Sequence, residues 1–275
     1  MTLKALILTG GKSTRMGTDK ASLTFQGKTL LDRLIDQVTP LTKDISLSVS
    51  HDTKAPAHPT LPQINDLEPN PGPLGGLAAA FAHSPDAHWL LIGCDIPLIN
   101  TSDLEKLINA QTPNSPITAF LNPIDNQPEP LCTLYNPQAH EPLLSTIENN
   151  RRCARKFIAS LTPTTLSPTT NQSLLNLNRP ELIPEAEHLL THGIHQKEIT
   201  LEYFAKLSQE AGTEKETIQT TTATLAGLWE EARLRHQFTL DLPVINPALN
   251  NEFADWQTPL ADGQTIAFMP PFAGG

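Results

Sequence analysis

The apolar run LKALIL (3–8) is followed one residue later by the glycine pair Gly10-Gly11, and the next positions carry Lys12, Arg15 and Lys20. No other stretch limits the possible folds as much. An unbroken apolar run closed by glycine is the pattern of a strand buried on both faces, and such strands belong to parallel sheets covered by helices. The glycines leave backbone N–H groups unshielded by a Cβ, so the loop can approach a phosphate or a base closely. GGKST (10–14) invites comparison with the phosphate-binding pattern G-x-x-x-x-G-K-[ST]. That pattern would put its first glycine at Leu6, whose side chain occupies the space a tight backbone cradle requires. Spacing excludes an ATPase-type loop.

The rest of the chain repeats the alternation. TLLDRLIDQV (29–38) has apolar residues at helical spacing, ISLSVS (45–50) alternates as a strand does, and GGLAAAFAHS (75–84) is a small-residue helix. HWLLIGCDIPLI (88–99) is a second apolar strand, leading into Asp95, and DLEKLINA (103–110) is a helix capped by Ser102 or Asp103. ITAFLN (117–122) reads as a strand and EPLLSTIENN (141–150) as a helix. This order predicts an α/β, Rossmann-like three-layer domain, with ligands beyond the carboxyl ends of the strands. Gly10, Gly11 and Asp95 then face one crevice. Arg15 and Lys20 supply fixed positive charge for a polyphosphate. A strand-end carboxylate such as Asp95 either caps a helix or offers Mg²⁺ a hard oxygen beside substrate phosphates. The chemistry implied is attack on the α-phosphorus of a nucleoside triphosphate.

Charge narrows the ligand class. The chain carries a formal net charge of −10, which argues against nucleic-acid or membrane-surface partners. Residues 1–33 nonetheless hold six basic side chains against two acidic ones, which suits a small anionic ligand. No stretch approaches the length of a membrane span. Cys94, Cys132 and Cys153 form no C-x-x-C pair, as expected of free thiols in a reducing cytoplasm.

LTGGKSTRMGTDK (8–20) resembles the signature of the molybdenum cofactor guanylyltransferases. INDLEPNPGPLGGL (64–77), IGCDIPL (92–98) and NLNRPEL (176–182) are similar to later motifs of the same family, in the same order. The resemblance covers about residues 1–190 and sets a first domain at 1–192. It implies Mg²⁺-dependent transfer of GMP from GTP to molybdenum-molybdopterin, with release of pyrophosphate. It also implies that Leu8, Thr9, Gly10, Gly11, Ser48 and Asp66 lie at the nucleotide. Arg15, Lys20 and Asp95 then carry the chemistry, with Lys20 on the phosphates and Asp95 on Mg²⁺. Arg152 and Asn178 fall on the pterin-phosphate side; for Arg152 the alternative is a cation at a helix carboxyl end. Thr9 replaces the family's alanine, and Ser48 stands where an asparagine is common. A cytidylyltransferase, or a domain that binds cofactor without catalysis, is the alternative reading.

From about residue 197 the pattern changes. EITLEYFAKL and KETIQTT read as strands, TLAGLWEEARLRHQ as a helix, and DLPVINPALNN and QTIAFMPPF as extended segments, which suggests a ubiquitin-like β-grasp domain at 197–275. PLADGQTIAFMPPFAGG resembles the close of the molybdopterin synthase small subunit, a sulfur carrier. That likeness implies a thiocarboxylate on Gly275, with an adenylating activating enzyme and the synthase large subunit as partners. A tail ending in Gly274-Gly275 has no side chain to clash in a narrow active site.

Overall fold

Strand β1 (Leu3–Leu8) has a neighbour on each side, and both pair with it in parallel. The computed structural model describes residues 2–9, 23–49, 58–66 and 72–271. After β1 come the short hairpin strands β2 (Thr24–Phe25) and β3 (Lys28–Thr29), then α1 (Leu30–Val38), β4 (Ile45–Val49), β5 (Gln63–Asn65) and α2 (Pro73–His83). Next are β6 (His88–Gly93), α3 (Thr101–Asn109), β7 (Ile117–Leu121), β8 (Pro128–Tyr135), α4 (His140–Glu148), α5 (Ala154–Ser160) and β9 (Thr164–Leu166).

Seven strands form one sheet in the order β5-β4-β1-β6-β8-β7-β9. The parallel sheet expected from the sequence is found across β5, β4, β1 and β6. Strand β8 departs from it and pairs antiparallel with both β6 and β7. Pro128 and Pro130 mask β8 in the sequence, because proline cannot donate to a ladder and usually argues against an inner strand.

Helices cover both faces. Leu34 and Val38 of α1 and Leu104 and Leu107 of α3 pack on Ile7, Leu90 and Ile92. Leu77 and Phe81 of α2, Leu143 of α4 and Phe157 of α5 pack on Leu6, Trp89 and Leu91. Adjacent residues of β1 and β6 thus feed opposite cores, which is why LKALIL and WLLIG tolerate no polar interruption. The cap of α3 is Asn100, ahead of the expected Ser102 or Asp103. Its side-chain oxygen accepts the Asp103 N–H at 2.9 Å, and its amide donates to the Asp103 carboxylate at 2.8 Å.

A second compact unit begins at Arg179, with the first ending at Asn178. It contains α6 (Ile183–His192), β10 (Lys197–Tyr203), α7 (Lys206–Ala211), β11 (Lys215–Thr220), α8 (Leu225–His236), β12 (Asn246–Leu249), β13 (Glu252–Phe253) and β14 (Thr265–Met269). The five strands lie in the order β11-β10-β14-β12-β13, with β14 parallel to β10 between two antiparallel pairs. This is the β-grasp arrangement, a sheet wrapped on helix α8. Trp229 of α8 anchors its core, stacked on Phe238 at 5.6 Å and edge-on to Phe268 at 5.0 Å.

The division expected at residues 192–197 and the one observed differ by α6. A buried carboxylate is the reason. Glu185 of α6 is fully buried and accepts the N–H groups of Ala223 and Thr224 and the Thr224 hydroxyl, at 2.7–3.0 Å. It therefore sits at the positive end of α8, where backbone donors have no intrahelical partner. Among the described residues, no helix is long and apolar enough to cross a membrane. Glu185→Ala would strand two buried N–H groups, and the expected loss is about 2–3 kcal/mol. Urea unfolding followed by tryptophan fluorescence at Trp229 checks this; an unchanged midpoint would contradict the anchoring role.

Candidate active site

The parallel order around β1 fixes where a site can form. From β1 the chain moves to β4 and β5 on one side and then to β6 on the other, so the strand order reverses at β1/β6. In open α/β sheets such a reversal marks the carboxyl edge at which ligands bind. Thr9 follows β1, Ser48 is near the end of β4, Asp66 follows β5 and Asp95 follows β6. All four come from separate stretches of sequence to one edge.

Three of them are linked. The Thr9 hydroxyl donates to the Ser48 carbonyl at 2.9 Å, and the Ser48 hydroxyl donates to the Asp66 carboxylate at 3.4 Å. The Asp66 N–H donates to the Val49 carbonyl at 2.9 Å, holding the residue against the end of β4. Burial pushes the Asp66 carboxyl up to about 6, with the Ser48 hydrogen bond pulling the other way. Gly76 of α2 explains part of the PGPLGGL motif. A Cβ there would stand 2.5 Å from Ser48 Oγ and 3.2 Å from a Leu8 methyl, so a side chain at this position would displace the Ser48 hydroxyl that faces Asp66. Leu8 itself is half-buried on the same side.

Asp95 lies just past β6. Its carbonyl accepts the Leu177 N–H at 2.9 Å, which brings the NLNRPEL segment to the same edge. Asn178 is held close by its own N–H to the Asn176 carbonyl, also at 2.9 Å. Asn176 Oδ1 is buried and has no hydrogen-bond partner among the described residues, one residue from the Leu177 contact with Asp95. Among the described residues, no three His, Cys, Asp or Glu side chains converge on one point. Asp95, a carboxylate at a strand end, is a hard oxygen donor of the kind that suits Mg²⁺.

Strand β8 runs the other way, so its first residues reach this edge. Sequence reading missed Glu129 there, because Pro128 and Pro130 hide the strand that carries it. Its side chain is only 4% exposed, and its carboxylate accepts the Leu131 N–H at 2.9 Å. Burial pushes its carboxyl up to about 7, helped by the charges of Asp95 and Asp125 and opposed by Arg155. Arg155 of α5 pairs with Asp125 at 3.0 Å, joining the start of that helix to the β7–β8 turn. Arg152 donates to Asn150 at 3.1 Å and, with Arg151, Lys156 and Thr146, lines an open cavity of about 430 Å³ over Phe157. Arg151 and Arg152 follow the carboxyl end of α4, as the expected alternative for Arg152 has it, whereas Arg155 and Lys156 lie inside α5. Gly10, Gly11, Arg15, Lys20 and Gly275 lie outside the described residues.

A 3-2-1-4-type parallel order with an acidic residue just past a strand end is the arrangement of a nucleotidyltransferase-type α/β domain. Residues 5–165 match the MobA-like NTP transferase domain, and residues 201–275 match the ThiS family. The chain belongs to the MobA-like NTP transferases and carries a ThiS-family β-grasp domain at its carboxyl side. It is 32% identical over 183 residues to a molybdenum cofactor guanylyltransferase of Pseudomonas fluorescens, covering 65% of this chain and 90% of that protein. It is 31% identical over 181 residues to a molybdenum cofactor biosynthesis bifunctional protein of Synechocystis, covering 65% of this chain and 52% of that one. The fold also matches the molybdopterin-guanine dinucleotide biosynthesis protein A of Archaeoglobus fulgidus, with a TM-score of 0.55 at 21% identity over 69% of this chain and 99% of that one.

The raised Glu129 carboxyl has a consequence for stability. A carboxyl at about 7 in the folded chain against an ordinary 4.5 favours folding below pH 4.5, and that advantage fades as pH rises to 7. The difference is about 3 kcal/mol. Glu129→Gln keeps the hydrogen-bonding oxygen and removes the charge. Thermal melts at pH 4.5 and pH 8 are expected to match wild type at the first and exceed it at the second.

Proposed function

We propose that the first unit transfers the guanylyl group of GTP to the phosphate of molybdenum-molybdopterin and that the second is the sulfur carrier of molybdopterin synthesis. What carries the first half is the meeting of Thr9, Ser48, Asp66 and Asp95 at the β1/β6 switch point, in a family whose relatives are named for this transfer. An oxygen of the acceptor phosphate attacks the α-phosphorus of GTP. The new P–O bond forms as the α–β bridging bond breaks, and pyrophosphate leaves with its electron pair. Leu8, Thr9, Gly10 and Gly11 bind the nucleotide through backbone groups. Ser48 orients Asp66, whose carboxylate accepts from the guanine. Arg15 and Lys20 neutralise the triphosphate, with Lys20 nearest the charge that develops on transfer. Asp95 would hold Mg²⁺, which would supply Lewis-acid charge stabilisation. Arg152 and Asn178 receive the acceptor's phosphate.

In the second unit the tail continues directly from the central strand β14, past Pro270 and Pro271. Phe204 and Phe253 are 45% and 78% exposed, and large exposed apolar side chains suit a surface that docks partners. Those partners are the adenylating activating enzyme and the large subunit of molybdopterin synthase. The Gly275 carboxylate attacks the α-phosphorus of ATP to give an acyl-adenylate and pyrophosphate. Sulfide then displaces AMP, leaving a thiocarboxylate.

Two experiments test the two halves. Asp95→Asn is expected to lower guanylyl transfer by at least about 100-fold, the scale of losing a metal anchor, read as dinucleotide product by mass spectrometry. Turnover near wild type would overturn the assignment. A protease-resistant extension beyond Gly275 is expected to abolish thiocarboxylate formation while guanylyl transfer continues; full sulfur transfer by that variant would refute the carrier reading.

A further inference from the structure

Two carboxylates fall at the same end of the β6/β8 pair, where Ile92 is paired with Cys132. A Cβ on Gly93 would stand 2.6 Å from Asp95 Oδ1 and 3.2 Å from Leu131 Cβ, so the Asp95 carboxylate folds back over the end of β6 towards β8. On β8 itself, Glu129 is turned onto its own strand by the Leu131 N–H at 2.9 Å. The carbonyl of Glu129 accepts the Thr133 hydroxyl at 2.7 Å, which fixes the backbone from the other direction. The charges of Asp95, Asp125 and Arg155 all act on Glu129, and Arg155 is already paired with Asp125 at 3.0 Å.

This burial needs a reason. An ionised carboxylate taken from water is destabilising unless a cation compensates it. Here the one hydrogen bond to Leu131 compensates only part, and the nearest guanidinium is shared with a competing aspartate. A second negative charge near Asp95 makes the free site less stable and the cation-bound site more favourable. Glu129 is committed on its own strand, where its carboxylate accepts the Leu131 N–H, so its charge is held in place whether or not it touches the cation.

We infer that Glu129 is a positioning residue for the divalent cation of nucleotidyl transfer: held beside Asp95 by the Leu131 N–H, its buried carboxylate strengthens cation binding at Asp95 through space. This rests on the reading of Asp95 as the cation's protein anchor. The charge acts in a low-dielectric, water-poor edge of the sheet, where interactions over several ångströms are screened less than at an open surface.

Glu129→Gln isolates the charge, because the amide oxygen still accepts from Leu131. The measurement is Mn²⁺ titration followed by EPR at pH 8 in the full chain holding GTP, corrected for Mn²⁺ bound to GTP alone. Mn²⁺ affinity is expected to fall about three- to tenfold, with GTP affinity measured without metal changing less than about twofold and the melting temperature not falling. The Mg²⁺ concentration giving half-maximal turnover should rise by the same factor. Unchanged Mn²⁺ affinity in Glu129→Gln would overturn the inference. Asp95→Asn run alongside separates the two readings. If it binds Mn²⁺ as wild type does, the anchor assignment itself fails; if it loses Mn²⁺ while Glu129→Gln does not, only the role of Glu129 fails.

Discussion

Parallel pairing of β1 between β4 and β6 is the constraint on which the first unit depends. A strand buried on both faces must have its loops at the sheet edges, since backbone groups in loops cannot be satisfied inside a core. With β4, β1 and β6 all parallel, those loops leave from the same edge. Thr9, Ser48, Asp66 and Asp95 meet for that reason alone. The antiparallel β8 adds a fifth contribution in the reverse sense, presenting the start of a strand at an edge otherwise made of strand ends.

What the edge does with polar groups follows from how tightly it is packed. Gly76 lets α2 close over Ser48, whose hydroxyl donates to the buried Asp66. Gly93 lets Asp95 fold back toward Leu131, beside a carboxylate with little water around it. Two carboxyls raised by burial, Asp66 to about 6 and Glu129 to about 7, are the energetic trace of that packing. Such groups are unfavourable in a free site and favourable when a cation or donor arrives, so stability is given up where ligand affinity is gained.

The second unit uses a buried charge differently. Glu185 is satisfied entirely by its own chain, at the amino end of α8, and it draws α6 into the β-grasp body. The same residue type therefore closes one structure and prepares another, and the difference is whether the donors around it are already spent.

The sequence by itself determined the class of both units. LKALIL with Gly10-Gly11, the helical spacing of 29–38, WLLIG before Asp95, and the strand–helix–strand succession after residue 197 all act through local periodicity, which survives without knowledge of partners. Tertiary structure decided the rest. The direction of β8, the close approach of Ser48 to Gly76, the cap at Asn100, the transfer of α6 to the second unit and the burial of Glu129 each depend on residues distant in sequence. Glu129 sits between two prolines and looks like a turn until β6 and β7 are placed on either side of it. Periodicity reports which face of an element is apolar; only packing reports which neighbour covers that face, and desolvation of a charge is a property of the neighbour.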